Sequence, residues 1–351
     1  MKNFLAIISI TILLFYSCQT DEKKEENNLQ PDATSTFDSS ALQTTTIDKN
    51  EEQSFLFRYK FESGKSYSYR LTTISNSQQS IIADSTISES IDQKIIFLLN
   101  FKTLNVDEDS IAELECIFSS INLNTKARSQ EIIYESTAQN DSSTKVQFAE
   151  YESLVNNPFN LRVNKLGVIL DIYKADKIIS KFLRLRGLSD SLDVQQKIMA
   201  SQELTNRSIK PLLTQIFREV PEHKMAKDSS WSYKRESMPV MIFQVDYENV
   251  YKVTSLEKLG NEKLAVISGS VKTNVRGKQN YSEKGINYNF SKPKSTATGR
   301  IYFNLSKGLI QKSRTESKME IGYNMEMQSP EGVKKASALE TTANVNVLEV
   351  L

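Results

Sequence analysis

Apolar and polar residues alternate along most of the chain after residue 54. A period of two predicts half-buried antiparallel strands. Residues 95–99 are continuously apolar, which predicts a strand covered on both faces. Within one alternating stretch, Cys116 is interpreted as a small core residue. The alternating stretches are residues 55–61, 67–73, 112–118, 243–253 and 265–275.

The clearest alternation runs from Leu309 to Met327, where charged residues fill many of the even positions. This pattern predicts a long strand with one dry face and one wet face. The apolar odd positions form a candidate ligand-facing stripe, although a plain core would show the same pattern. The stripe consists of Met319, Ile321, Tyr323, Met325 and Met327.

Residues 174–222 change to helical spacing. The first apolar face begins at Ala175 and stops before Gly187, and a middle helix is expected to start near Ser189 or Asp190. The last face spans Ile209–Val220 and is ended by Pro221. Such stripes are typical of helix surfaces that face a core.

Three short segments of the first β region recur in the same order in the second. Residues 66–70 resemble 230–234, residues 104–112 resemble 259–265, and residues 163–169 resemble 305–310. We therefore predict an α+β fold that is mainly antiparallel β, with two similar curved β-sheet halves around a central helical insert. The boundaries are 54–173 for the first half, 174–222 for the insert and 223–351 for the second half.

The N-terminus has the layout of an export signal. A basic start is followed by an apolar run at residues 4–16, too short for the roughly 20 residues that span a bilayer. Ser17-Cys18 at its end resembles a bacterial lipobox, although Phe15 and Tyr16 depart from the usual pattern. This predicts a signal peptide at 1–17 and a lipidated Cys18; the alternatives are an uncleaved anchor or a buried free cysteine.

Residues 18–53 are predicted to be a disordered tether that begins with the lipidated cysteine, because they contain few apolar residues. The acidic residues soon after Cys18 resemble a surface-export signal of Bacteroidota lipoproteins, and a solvated tether is the alternative interpretation. The expected location is the cell envelope, lipid-anchored to the outer membrane, with surface exposure as a further hypothesis.

Composition narrows the chemistry. Lys and Arg total 44 against 43 Asp and Glu, so no global field favours nucleic acid as a partner. A single His and two Cys leave few ways to build zinc sites or nucleophile–base pairs. We therefore expect no catalytic residues, no cofactor and no metal site. A site built only from carboxylates remains an alternative. The turn Asp107–Asp109 could bind calcium, but it lacks the alternating oxygen ligands of a dedicated calcium loop, which favours a solvated turn.

Residues 272–300 are rich in basic residues with interleaved aromatic residues. One interpretation is contact with a polyanionic glycan or lipopolysaccharide. The other is a solvated hairpin whose charged edges oppose aggregation. The basic residues are Lys272, Arg276, Lys278, Lys284, Lys292, Lys294 and Arg300.

Several motifs together resemble a family of uncharacterised Bacteroidota lipoproteins, over about residues 57–325. They are Gly64–Tyr69, Leu166–Ile169, Phe217–Pro221 and Lys227–Trp231, although Asp228 stands where that family tends to have glycine. The resemblance implies a fold and a location and brings no known activity.

These observations favour an outer-membrane or surface-exposed lipoprotein that acts as a non-enzymatic binding module, with an apolar or lipid-like ligand as the first candidate. The alternative is a surface scaffold that assembles with another envelope protein. A glycan hydrolase would need two carboxyl groups about 5–10 Å apart across a cleft, and no pair stands out in the sequence.

Overall fold

The structure is a computed structural model that describes residues 41–47, 54–330 and 332–351. Residues 1–17, Cys18 and most of the predicted tether lie outside the described residues. The described residues form one sheet of sixteen strands. The strands before the helical insert are β1 (Thr45–Thr46), β2 (Ser66–Ile82), β3 (Thr86–Val106), β4 (Ile111–Ala127), β5 (Gln130–Glu135), β6 (Phe159–Asn164) and β7 (Ile169–Tyr173).

The strands after the insert end in a hairpin of two long strands, β15 and β16. They are β8 (Ser230–Lys234), β9 (Met238–Val240), β10 (Phe243–Leu259), β11 (Glu262–Arg276), β12 (Asn280–Glu283), β13 (Ile286–Phe290), β14 (Lys294–Asn304), β15 (Leu309–Ser329) and β16 (Gly332–Val350).

The helices occupy two places in the chain. A capping box at Asp193 and Gln196 fixes the start of the fourth helix, so that helix begins later than the predicted Ser189 or Asp190. The last helix ends at Ile216, because the residues from Phe217 onwards leave the helical conformation. The helices are α1 (Ser142–Gln147), α2 (Ala149–Leu154), α3 (Asp176–Leu185), α4 (Val194–Leu204) and α5 (Lys210–Ile216), with a π-helical turn at Thr205–Ile209 between α4 and α5.

The main path of the sheet is β1-β10-β11-β14-β15-β16-β2-β3-β4-β6-β7, and its neighbours are all antiparallel. This confirms the predicted mainly antiparallel α+β fold. The three recurring segments fall at corresponding places in the two halves. The first opens β2 and β8, the second joins β3 to β4 and β10 to β11, and the third joins β6 to β7 and β14 to β15.

The two halves meet where β2 pairs with β16. On this seam the Glu349 carboxylate accepts hydrogen bonds from Arg70 of β2, at 3.0 and 2.8 Å. The Lys312 ammonium of β15 lies 3.2 Å from the other oxygen of Glu349. Lys312 and Glu349 are both buried. Because burial weakens screening by solvent, these ion pairs tie three neighbouring strands together at the seam.

The inner face of the sheet, which packs against the helices, carries the main core. Residues of both halves share one hydrophobic cluster, which includes Phe97, Phe118, Val253 and Ile301. The helical insert contributes Ile178, Leu213 and Ile216 to it, as its helical spacing predicts. Cys116 is fully buried in the same cluster, which confirms its interpretation as a core residue.

Residues 54–61 differ from the strand that their alternation predicts. Only Phe55 forms a bridge, to Met225, and the rest of the segment is extended without joining the sheet. Phe57 and Tyr59 are buried, and both rings contact Phe303. The alternation therefore reflects burial beneath the helices, since an extended segment alternates whether or not a strand pairs with it.

The last recurring turn of each half packs against this central segment through a glycine. A Cβ atom on Gly167 would lie 2.5 Å from the Tyr59 ring, and one on Gly308 would lie 2.6 Å from the Lys60 backbone nitrogen. Both glycines have positive φ, of 80° and 67°. Only glycine combines a positive φ with so close an approach at low cost. One turn from each half therefore packs directly against residues 58–60.

Three further differences from the predictions concern local structure. Residues 41–47 lie on the sheet, with Thr45 and Thr46 paired to β10, so this part of the predicted tether is corrected. The physical reason is that Ile47 is buried in the main core. Residues 95–99 alternate between buried and half-buried side chains, so the strand is not equally covered on both faces. Helices α1 and α2 lie within the predicted first β half.

Candidate functional site

A groove runs between α5 and the inner face of the second half. We call it the α5 groove. It encloses about 420 Å³, within the range of about 300–1,000 Å³ that is common for small-molecule sites. Its roof includes Pro211, Thr214 and Gln215 of α5. Its floor crosses β10, β11, β14, β15 and β16, so five strands shape one surface.

Two glycines on the floor of the groove leave space that larger side chains would fill. Gly269 of β11 and Gly299 of β14 are direct neighbours in the sheet. A Cβ atom on Gly299 would lie 2.8 Å from the Thr315 methyl group, and one on Gly269 would lie 3.5 Å from the Tyr251 ring. Glycine at position 299 therefore leaves room for the Thr315 side chain, and the space above the two glycines stays open.

Uncharged polar side chains line much of the remaining surface. Asn249, Thr315, Ser317 and Asn346 all border the groove. The strand register places these four side chains on the inner face, since they alternate with outward-facing residues. The Thr73 hydroxyl donates to the Asn346 side-chain oxygen at 2.8 Å and so orients that amide. Amides and hydroxyls offer both donors and acceptors to a polar ligand.

Arg218 borders the groove from the segment that follows α5. The Tyr59 hydroxyl donates to the Arg218 carbonyl oxygen at 3.0 Å and accepts from the Arg218 amide at 2.9 Å. Burial raises the pKa of Tyr59, so this hydroxyl keeps its proton over the ordinary pH range. Two residues on, the Val220 amide donates to the Leu166 carbonyl at 3.0 Å. The main chain that carries Arg218 is therefore held in place.

The Arg218 side chain contrasts with Arg235, the second guanidinium at the groove. Arg235 lies 3.3 Å from the Glu219 carboxylate. Among the described residues, no carboxylate lies within ion-pair distance of Arg218, and its Nε is buried without a hydrogen-bond partner. Glu316, the acidic residue that borders the groove, pairs with Arg314. Among the described residues, the groove therefore offers one unpaired positive group beside ion-paired and uncharged ones.

The predicted stripe on β15 lies farther along the same strand, outside the lining of the α5 groove. Tyr323 and Phe290 contact each other, with ring centroids 5.3 Å apart, in a second small cluster away from the main core. Met319, Ile321 and Met325 are half-buried, and Met327 is 41% exposed. The stripe is therefore only partly dry.

Tyr323 belongs to a row of apolar side chains that crosses five strands on the inner face. We call it the distal row. Each residue stands directly opposite the next, and exposure ranges from buried Phe290 to Ile87, which is 55% exposed. The row is Ile87, Ile81, Ala338, Tyr323 and Phe290.

The seven predicted basic residues are all exposed. By strand alternation, Lys272, Arg276, Lys294 and Arg300 point to the outer face, whereas the aromatic residues of β13 point to the inner face. Arg276 pairs with Asp246 at 2.7 Å and Lys294 with Glu320 at 3.0 Å. These four residues and the aromatic residues thus do not share one surface, and two of the charges are already paired.

Other sequence candidates have local roles. The Asp107 carboxylate accepts from the Ile111 amide at 2.8 Å and so closes its own turn. The described residues contain no group of three or more side chains arranged to hold a metal ion. In the same part of the chain, no helix has the length and apolarity needed to cross a membrane. His223 is exposed just beyond Pro221.

An apolar pocket beneath the helices is much smaller than the α5 groove. It is lined by residues that include Tyr59, Phe101 and Phe217, and it encloses about 20 Å³. This space is close to that of one water molecule. An acyl chain does not fit there without movement of the core.

Neither the groove nor Arg218 was predicted as a site from the sequence. Arg218 stood only within the family motif Phe217–Pro221. One sequence signal could have indicated the groove. Several inner-face positions of the second half carry small or polar residues where a core would carry large apolar ones, at Asn249, Gly269, Gly299 and Ser317. Alternation shows which face these residues share, but it does not show which strands are neighbours.

The fold and the groove define a β-rich protein with an open site on the inner face of its sheet. A family model described as "Family of unknown function (DUF6263)" matches residues 109–310, more than half of the chain, and the chain belongs to this family. This confirms the expected membership of an uncharacterised family. No curated protein matches the chain.

Solved structures give only distant similarities. One is titled "Lipid-protein interactions in lipovitellin", with 13% identity and a TM-score of 0.38; it aligns with 83% of this chain, which spans 25% of the lipovitellin chain. Another is an outer-membrane channel from Pseudomonas putida F1, with 6% identity and a TM-score of 0.21, covering 87% of this chain and 100% of the channel. Both TM-scores are too low to establish a shared fold or function.

Proposed function

We propose that this protein is a non-enzymatic binding module of the bacterial envelope that holds a small ligand in the α5 groove. The single observation that carries the proposal is an open groove of about 420 Å³ on a floor of five neighbouring strands. Its wall joins hydrogen-bonding side chains with apolar surface from Tyr251, Val271 and Ala297. A ligand with polar and apolar parts suits this lining better than a purely apolar one.

The proposed location rests on the N-terminal sequence. A brief apolar leader followed by Ser17-Cys18 supports a lipid anchor on Cys18 in the outer membrane. Surface exposure and the Bacteroidota lipoprotein type belong to the same proposal. Mass spectrometry of the mature N-terminus tests it, and a protein that retains residue 1 or carries no acyl chain on Cys18 contradicts it.

Native mass spectrometry of the full-length protein, purified from its own membranes in non-ionic detergent, tests the groove. Wild type is expected to carry a small-molecule adduct, and Ser317→Trp is expected to lose it because the indole fills the groove. Lys318→Trp is the matched control, since position 318 lies on the same strand and faces outward. Wild type without an adduct, or an adduct kept by Ser317→Trp, overturns the proposal.

The distal row favours a second candidate function, a scaffold for another envelope protein. It leaves apolar surface exposed at the end of the sheet, and such surface is common at protein contacts. Crosslinking in intact cells, followed by mild solubilisation, is expected to recover a stoichiometric partner with wild type. Ile87→Asp is expected to lose it, whereas Ser88→Asp, on the opposite face of the same strand, keeps it. Recovery that is equal for both variants, or absent with wild type, overturns this candidate.

A further inference from the structure

Among the described residues that border the α5 groove, Arg218 is the one charged residue without an ion-pair partner. Among the described residues, Arg235 and Glu316 both border the groove and both have ion-pair partners. Arg218 has none, and its Nε is buried without a hydrogen bond. A buried donor without a partner costs free energy unless a ligand or water satisfies it.

The surroundings of Arg218 are organised in advance. Tyr59 bonds both the amide and the carbonyl of Arg218, at 2.9 and 3.0 Å. Gly167 approaches so closely that a Cβ atom there would lie 2.6 Å from the Arg218 carbonyl oxygen. Both contacts fix the backbone from which the guanidinium extends. A ligand that binds this group therefore meets a main chain that is already ordered.

A guanidinium recognises planar or tetrahedral oxyanions through paired N–H donors. Three other residues that line the same groove, Asn249, Ser317 and Asn346, offer the donors and acceptors that hydroxyl groups use. We infer that the α5 groove binds a hydroxyl-rich molecule with a carboxylate or phosphate group, of the acidic-sugar class, and that Arg218 binds the anionic group. This inference rests on the proposed function and specifies its ligand.

Isothermal titration of the full-length protein in non-ionic detergent tests the inference. The probes are trigalacturonate, its uncharged methyl ester and mannose 6-phosphate, so the carboxylate and phosphate sources are measured separately. Wild type is expected to bind at least one anionic probe, with affinity that falls as salt is added. The methyl ester is expected to bind at least about tenfold more weakly than trigalacturonate if the carboxylate is the recognised group.

Arg218→Gln is expected to weaken binding of the anionic probe by at least about tenfold, and Arg218→Lys by less, because lysine keeps the charge and loses the paired donors. Arg184→Gln is the matched control, since Arg184 is exposed on α3 away from the groove. Thermal unfolding of each variant separates loss of binding from loss of fold.

The outcomes distinguish this inference from the proposed function. Equal binding of the acid and its ester, or unchanged binding by a folded Arg218→Gln variant, overturns the role of Arg218 and leaves the groove as a site. No binding of either anionic probe, together with an adduct that Ser317→Trp loses, overturns the acidic-sugar class alone. No binding and no adduct overturns both.

Discussion

The two halves share an arrangement of strands and differ in one connection. It joins β4 to β6 in the first half and β11 to β14 in the second. In the first half this connection, residues 128–158, contains β5, α1 and α2. In the second half, residues 277–293 contain the β12–β13 hairpin. Tyr151 of α2 contacts Phe97 on the inner face, with ring centroids 6.4 Å apart, whereas the hairpin joins the sheet beside β15.

The side chains on the inner faces of the two halves differ as well. The first half presents Phe97, Ile121 and Leu123, all buried. The second half presents Asn249, Gly299 and Ser317 around the open groove. Where α2 packs on the inner face the side chains are large and apolar, and around the open groove beneath α5 they are small or polar. One arrangement of strands thus supplies a core in one half and a candidate site in the other.

The largest effect is expected at a feature that both halves share, a glycine that packs against residues 58–60. These glycines are Gly167 and Gly308. Gly167→Ala and Gly308→Ala should each lower the free energy of unfolding by about 3 kcal/mol, from positive φ and from overlap with residues 58–60. Gly64→Ala and Gly260→Ala are the controls, since both have positive φ with no atom near the added carbon. They should cost about 1 kcal/mol.

Urea unfolding monitored by circular dichroism measures these changes. If Gly167→Ala and Gly308→Ala cost no more than the two controls, the close approach to residues 58–60 contributes nothing. If only one of the pair is costly, the two turns do not hold the central segment alike.

The difference between the halves is tested by the same substitution on each inner face. Val163→Ala in β6 removes two methyl groups from a fully buried site and should cost roughly 2 kcal/mol. Val271→Ala in β11 removes them from the half-exposed groove floor and should cost less than about 1 kcal/mol. Equal costs in urea unfolding would contradict the assignment of one face as covered and the other as open.

The smallest effects concern two carboxyl groups whose pKa values move in opposite directions. Hydrogen bonds from Tyr173 and then Asn160 lower the pKa of Glu113. Burial raises the pKa of Glu340 on β16. The stability contributed by Glu113 is therefore present above its unfolded pKa and is lost as pH falls. For Glu340 it is present below the unfolded pKa and is lost as pH rises.

Glu113→Gln should therefore be less stable than wild type at pH 7, with a difference that shrinks towards pH 3. Glu340→Gln should gain stability relative to wild type as pH rises from 4 to 7. Both carboxyl groups are half-buried and still reached by solvent, so each change should stay below about 1 kcal/mol. Thermal unfolding across this pH range measures them, and changes of the same sign would contradict the assigned environments.

Much of the fold could be predicted from the sequence, because alternation and helical spacing are local signals. The long strand β15, helix α3 and the core position of Cys116 all follow from such patterns. Helices α1 and α2 could not be found in this way, since α1 buries no residue and α2 has only six residues, two of whose four buried side chains are Glu152 and Ser153. The segment 54–61 alternates like a strand, and only the folded structure shows that it forms one isolated bridge and no strand of the sheet.

The site could not be predicted, because it depends on which strands become neighbours. Gly269 and Gly299 are 30 positions apart in the sequence, yet the β11–β14 register places them side by side. The uncompensated state of Arg218 depends on the whole surrounding fold. The predicted stripe on β15 was read from one strand alone, and its neighbours place it beyond the groove.

The seam between β2 and β16 has a consequence for how the chain reaches this fold. Arg70 and Glu349, which pair across it, are 279 residues apart. Until β16 joins the sheet, both β2 and β15 must present an unpaired edge to their surroundings. The nineteen-residue strand β16 therefore joins the two halves of the sheet. A chain that lacks it keeps two unpaired strand edges, which are prone to aggregation.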